Sequence, residues 1–460
     1  MKRYERSMFI FRRDLRIQDN IGLYRASLES ELVIPLFIFD PKQVGDANQY
    51  KSDNAIQFMI ESLRDLEQQI TQKGGMLQLC YGDTLEVFET IIQQEKSIQA
   101  VYLNRDYTPF SSVRDKKIEQ LCAEYSLDFH SWDDVMLFRP EDAVTKQKTP
   151  FRLFTPFFKS VSLIPVAAPK KIVNASFYTK RMRVAHSDEI YKKIVNTVNK
   201  NSHSSGGTAC AKKLLKKLSL LVSYPRTRNI PSIETTNLSA HIKFGTVSIR
   251  EVYHAVVNVL GGDHDLIRQL YWRDFFTYVA FHSPRVFGNA YQEKYNHLQW
   301  ENDKKKFARW CEGNTGFPIV DAGMRQMNIT GYMHNRVRMI VASFLIKDLH
   351  IDWRWGEKYF AQQLIDYDPC VNNGNWQWVA STGCDAQPYF RIFNPWLQQK
   401  KFDPHCEYIK RWIPELREID NATIHSWVKK SLKVEGKYPA PMVDHQKESM
   451  LAKQLYKRVS

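Results

Sequence analysis

Over its first 130 residues the chain places apolar positions in short, almost unbroken runs at residues 8–11, 32–39, 76–80 and 100–103. Runs of that length, rich in β-branched and aromatic side chains, predict strands covered on both faces. Between them, residues 55–73 (AIQFMIESLRDLEQQITQK) and 113–125 carry apolar positions at helical spacing, and Gly74-Gly75 closes the first of these helices. Strands alternating with helices predict βαβ units, so residues 1–130 are expected to form an α/β domain around a parallel sheet. Ligands of such sheets sit at the carboxyl ends of the strands, and FRRDLRIQDN, residues 11–20, leaves the first strand there. Its arginines are most simply solvated loop charges.

From 131 to 205 the periodicity blurs. Pro140, Pro150, Pro156, Pro165 and Pro169 interrupt it, and NKNSHSSGG, residues 199–207, reads as a flexible surface turn. This predicts an inter-domain connector lying over the surface. Helical spacing returns at residue 206 and persists to 425, in runs such as REVYHAVVNVL and DLIRQLYWRDFFTYVAFH. The expectation is an all-α C-terminal domain over 206–425, followed by a tail at 426–460.

Composition narrows the function. With 460 residues there is length for two or three domains, and 43% apolar with 25% charged residues argues against disorder. Lys+Arg 65 against Asp+Glu 50 leaves +15, an excess that favours a polyanionic partner, DNA or RNA. The seven cysteines are scattered with no C-x-x-C pair, which points to reduced thiols. His405-Cys406 has no second pair to answer it, so no metal is expected. There is neither a secretory signal nor a run of about 18 apolar residues, so the expected location is the cytoplasm, with no membrane partner.

Residues 364–398, LIDYDPCVNNGNWQWVASTGCDAQPYFRIFNPWLQ, pack acids, amides and aromatics at tight spacing. Taken singly, each fits a Trp-rich core. As a pattern, LIDxD…NNGxWQW…PYFRIFNP closely resembles the flavin-binding core of the DNA photolyase and cryptochrome family, and residues 315–360 resemble the same family without a gap. FRRDLRIQDN is similar to the family's antenna-domain signature, with Ile10 in place of a tryptophan. KYPAPMVDH, residues 437–445, is similar to its C-terminus. The resemblance spans essentially the whole chain and is greatest to class I cyclobutane pyrimidine dimer photolyases.

The resemblance implies an N-terminal α/β antenna-chromophore domain with a Rossmann-like parallel sheet and an all-α domain binding FAD. TTNLSAHIKFGTVSIR, residues 235–250, offers hydroxyls and an amide before a helix, which alone suits a cap or a phosphate. By resemblance, Thr235, Thr236, Asn237, Leu238 and Ser239 contact the FAD diphosphate. Tyr224, Trp272, Asn335, Arg338, Asp366, Tyr367 and Asp368 are implied as further flavin-side residues, with Arg338 paired to Asp366. Asn372 matches the residue facing flavin N5; an amide there can hydrogen-bond but cannot titrate near neutrality, which leans towards repair. Trp300, Trp353 and Trp376 match the family's electron-transfer chain, Trp376 nearest the flavin and Trp300 nearest solvent.

On the substrate side, Trp272 is implied to stack on the lesion and Arg273 to approach the DNA backbone. Base–aromatic stacking is worth ~1–3 kcal/mol per base, which helps offset extrusion of a base pair. Gln269 stands where many cyclobutane-dimer enzymes have Glu, and Tyr332 where they have Trp. Met339 and Trp378 would line the same cavity, with Arg228, Arg391 and Gln398 facing DNA. His334 lacks a histidine neighbour and Met339 replaces the distal histidine of (6-4) enzymes. The implied function is light-dependent repair of cyclobutane pyrimidine dimers in UV-damaged DNA by electron transfer from excited reduced FAD, for which a monomer suffices. The alternatives are a cryptochrome-like blue-light photoreceptor and a (6-4) photolyase. Phe110 and Ser111 fall where a folate antenna would use an Asn-Glu pair, so a deazaflavin or second flavin is expected as antenna before folate.

Overall fold

The predicted apolar runs become parallel strands β1 (Tyr4–Phe11), β2 (Ser30–Phe39), β3 (Gln78–Tyr81) and β4 (Ala100–Asn104), and a fifth strand, β5 (Asp128–Trp132), completes the sheet. The order is β3-β2-β1-β4-β5. At the centre, Met8 of β1 lies between Ile34 of β2 and Val101 of β4. β5 carries no apolar run because it is an edge strand with no fully buried residue. The structure, a computed structural model, describes residues 2–186, 189–195, 197–430 and 438–459. Lys437, the first residue of the KYPAPMVDH segment, lies outside them.

Helices Ile21–Glu29, Asp53–Gln72, Thr84–Gln94 and Pro109–Glu124 cross between the strands. Each begins at a side-chain cap: Asn20, Ser52, Asp83 and Thr108 accept from backbone N–H groups of the first turn. The arginines after β1 are not solvated loop charges. Arg16 is buried and pairs with Asp134 at 2.5 Å, and Arg250 bridges Asp134 (2.6 Å) and Asp19 (3.0 Å). Burial pushes the Asp134 carboxyl up, but the two guanidinium groups outweigh it and hold the acid below its usual range. Leu15 N–H and Arg16 also donate to the carbonyls of Phe244 and Gly245, tying residues far along the chain to the strand β1 exit.

Contacts group the chain into two compact units. The first comprises Met1–Asn199, Ser204–Val222 and Thr236–Pro284; the second comprises Lys200–His203, Ser223–Thr235 and Arg285–Ser460. They interleave along the chain rather than meeting at the boundaries expected near 130, 205 and 425.

Within the first unit the connector is partly built into the core. Phe154, Phe157 and Val161 of the Phe154–Val161 helix are buried, and Phe177 seats so closely on Gly75 that a Cβ there would lie 2.3 Å from the Phe177 Cβ. The turn expected to be flexible is held at both ends. Asn199 bonds Gln57 and Asn54, and the Gly206 and Gly207 N–H groups donate to Glu61 and Ser62.

The second unit packs helices Lys304–Glu312, Pro318–Thr330, Asn335–Lys347, Trp353–Gln363 and Pro369–Ala380 around a core that includes Trp310, Phe344, Trp353, Trp376 and Trp427. The C-terminal helix His445–Lys457 docks on the same unit through His445–Asp348 (2.5 Å) and His350–Glu448 (2.7 Å). Among the described residues no helix is long and apolar enough to cross a membrane, and no cluster of three acids, histidines or cysteines could hold a metal.

Candidate functional site

In the second unit the site is organised by one helix start. Asp368 accepts from the N–H groups of Cys370 (3.0 Å) and Val371 (3.2 Å), and Pro369 occupies the first helical position. These two residues turn the motif into the Pro369–Ala380 helix. Asp368, expected beside the cofactor, is thus used by the structure as the cap of the helix that carries the site. Positions 373 and 377 share one helical face. Asn373 Nδ2 and Gln377 Nε2 both donate to the Val286 carbonyl, and Gln377 also donates to Asn373 Oδ1 at 2.9 Å. Positions 372 and 376 share the adjoining face. Asn372 Nδ2 donates to the Glu357 carbonyl at 3.2 Å, which fixes the amide while leaving its oxygen to accept from a bound ring N–H.

Glu357 supports both asparagines, since its Oε1 accepts from Asn373 Nδ2 at 3.0 Å. Burial pushes its carboxyl up from 4.5 to about 7. A carboxyl with a raised folded value binds its proton more tightly when folded. The stability it contributes is therefore full below its unfolded value and lost as pH rises through about 7. Glu357→Gln keeps the acceptor oxygen and removes the charge. The variant is expected to gain about 3 kcal/mol over the wild type above neutrality and nothing in acid, read by urea unfolding across pH. An unchanged stability difference across that range would refute the buried-acid account.

Arg338 and Asp366, 28 residues apart, meet as a two-pronged pair, Nη1 to Oδ1 at 3.1 Å and Nη2 to Oδ2 at 3.0 Å. Arg338 Nε also donates to the Met333 carbonyl at 2.7 Å. His334 caps the Asn335–Lys347 helix by accepting at Nδ1 from Arg336 N–H. Its buried Nε2 has no hydrogen-bond partner among the described residues. Burial and the neighbouring Arg338 and Arg336 lower this imidazole to about 4, so it is neutral with Nε2 as the donor. Tyr332 stacks on His203 (centroids 3.9 Å apart, planes 8° apart), hydrogen-bonds Thr235, and has its phenol pushed up by burial.

Asn335 is exposed at the helix start, Met339 lies one turn on and half-buried, and Tyr224, Arg228, Tyr367, Trp378 and Gln398 are also half-buried; Arg391 is exposed. Trp376 and Trp353 are buried and Trp300 is partly exposed. The ring neighbours of Trp376 are Phe360 (4.9 Å) and Trp310 (6.3 Å), and that of Trp300 is Tyr456 (6.2 Å).

In the first unit, Asn237 adopts φ +53 and the Leu238 N–H donates to Thr236 Oγ1, so the chain turns sharply into the Ser239–Phe244 helix. No side chain caps that helix, which leaves its first N–H groups for another acceptor. On the Asp265–His282 helix, Trp272 lies flat on Phe154, centroids 3.6 Å apart, so one of its faces is already covered by protein. Gln269 is half-buried on the same helix. Arg273, expected on the DNA side, donates from its guanidinium to the Val135 carbonyl and to Asp274.

Sequence reasoning missed Arg336, Glu357, His203 and Trp310. Arg336 is held by Asn229 and stacks on Phe402 at 4.6 Å, and the nearby Arg228 lowers its pKa further after burial does. The alternation of basic residues in HNRVRM was its only signal. The other three reveal themselves through tertiary neighbours alone.

Within the second unit, a non-titrating amide, an orphaned imidazole N–H and a fixed guanidinium are donors and acceptors that fit a flavin ring. Within the first unit, the start of the Ser239–Phe244 helix has no side-chain cap. Residues 7–171 match the family description "DNA photolyase", and residues 266–458 match "FAD binding domain of DNA photolyase". A deoxyribodipyrimidine photo-lyase of Alkalihalophilus pseudofirmus is 35% identical, covering 97% of each chain. An archaeal photolyase from Sulfolobus tokodaii, solved with two FAD molecules, superposes with a TM-score of 0.88 at 41% identity over 98% of this chain and 100% of that one. A cryptochrome of Synechocystis sp. PCC6803 gives 0.89 at 27% identity, over 99% of this chain and 100% of that one.

Proposed function

Because the chain belongs to the DNA photolyase family, we propose that it repairs cyclobutane pyrimidine dimers in UV-damaged DNA under light. The observation that carries this reading is Asn372, an amide fixed by the Glu357 carbonyl in the unit that also holds the Arg338–Asp366 pair. Bound reduced FAD supplies a light-driven electron that the lesion accepts and returns. The chain's own residues bind and orient. Thr236 to Ser239 would hold the diphosphate, Arg338 with Asp366 would fix a guanidinium against the flavin, and Asn372 would accept a ring N–H without delivering a proton. Trp300, Trp353 and Trp376 would carry electrons inward when the cofactor is reduced.

Gln269, Trp272, Tyr332, Met339 and Trp378 would meet the extruded lesion. Arg228, Arg391 and Gln398 would meet the strand around it. Met339 leaves no distal histidine to donate a proton, which favours cyclobutane dimers over (6-4) products. For the antenna, a second FAD is favoured by the two FAD molecules of the Sulfolobus tokodaii relative.

The test is repair of a thymine-dimer oligonucleotide by the photoreduced holoprotein under near-UV to blue light, with a dark control. Restored thymine absorbance only under illumination is expected. Repair confined to (6-4) DNA would replace the reading with its sister activity, and photoreduction without repair of either lesion would favour a photoreceptor.

A further inference from the structure

The connector, residues 131–205, carries 13 Lys and Arg against 6 Asp and Glu, a local excess of +7 within the chain's net charge of +15. Within the first unit the connector runs as an arm along the open edge of the sheet. Val33 of β2 exchanges backbone hydrogen bonds with Ser176 and Tyr178, Gln78 of β3 bonds Lys180 and Met182 through its side chain, and His186 N–H donates to Leu79. The arm continues into the short helix Ile190–Ile194.

What holds the arm is this backbone pairing and its apolar side chains. Phe177, Met182, Ile190, Tyr191 and Ile194 are buried. Lys180, Arg181, Arg183, Lys192 and Lys193 all face solvent, and none has a hydrogen bond or ion pair from its side chain to the described residues. Five cations against Asp188 and Glu189 leave the segment from 180 to 193 with a net positive charge, and none of the five side chains contributes to its attachment. A surface of that kind is complementary to a polyanion. Duplex DNA presents a phosphate charge about every 1.7 Å of its axis and so accepts unpaired cations at any spacing, whereas an acidic protein must match them individually.

We propose that this arm is a docking surface for the phosphate backbone of duplex DNA, sequence-independent and separate from the lesion site. It raises affinity for any duplex and so lengthens the protein's residence on undamaged DNA.

The test uses the full chain carrying K180Q, R181Q, R183Q, K192Q and K193Q, with undamaged duplex followed by fluorescence anisotropy across salt concentrations. Every phosphate that the variant no longer neutralises takes about 0.9 off the slope of log affinity against log salt, so a slope shallower by about 2–4 is expected. A charge-matched control carries K116Q, K117Q, K304Q, K305Q and K453Q, all exposed elsewhere, and is expected to keep the wild-type slope. Equal changes in both variants would assign the effect to net charge and overturn the proposal, as would an unchanged slope in the arm variant. Loss of binding to anionic phospholipid vesicles with an intact DNA slope would overturn it in favour of a membrane surface. Undamaged duplex carries no lesion, so the outcome is independent of whether the chain repairs dimers.

Discussion

Arg338→Met is expected to cost about 3–5 kcal/mol of stability and to leave the purified protein largely without flavin. The magnitude follows from what the substitution strands. The Asp366 side chain is only 7% exposed against 24% for Arg338, so removing the guanidinium strips the more buried partner of its two-pronged cationic pair. The Met333 carbonyl loses its donor at the same time. Removing both charges should hurt less than removing one, so Arg338→Met with Asp366→Asn is expected to recover a substantial part of the loss. Arg338→Lys should not recover it fully, because an ammonium cannot make two parallel bonds to one carboxylate. Thermal unfolding gives the stability and visible absorbance gives the flavin ratio. If the double variant is as unstable as the single one, the pair is not what stabilises this part of the fold.

Gly356→Ala, inside the Trp353–Gln363 helix, is expected to be far more damaging than the same change at the exposed turn residue Gly262. A Cβ at Gly356 would lie 2.2 Å from Trp376 Cη2, 2.5 Å from Cζ3 and 2.6 Å from Leu345 Cδ2. Trp376 is itself wedged among Phe360 and Trp310, so its indole has little room to retreat. Overpacking a close-packed core typically costs about 1–3 kcal/mol, and here the displaced ring is the one expected to feed electrons to the cofactor. Flavin photoreduction should therefore slow together with the loss in stability. At Gly262 an added Cβ meets nothing within 4 Å, so Gly262→Ala serves as the comparison and is expected to be neutral or slightly stabilising. Equal tolerance at both positions would show that Gly356 is not selected by the packing of Trp376.

How much of the site could be read in advance depended on the range of the interaction. The Asn372–Trp378 motif could be picked out because its residues lie in one contiguous segment, and Asp368-Pro369 starts its helix by a cap spanning three residues. The likeness of that segment to known flavin proteins identified the family. It could not say that Asp368 caps a helix, nor that Arg273 turns inward to the Val135 carbonyl, because both depend on which donors and acceptors the fold brings near.

The amino-acid sequence by itself determined four of the five strands, the long helices and their order, since burial on a face imprints a period on the chain. It also determined the family and the charge excess. The tertiary structure decided what has no local period. Edge strand β5 hides because half-exposed positions need not be apolar. Arg16, Asp134 and Arg250 are buried only because partners more than 100 residues apart neutralise one another. Glu357 acquires a carboxyl raised to about 7 only once the second unit closes over it, because desolvation belongs to the packed interior and not to any residue.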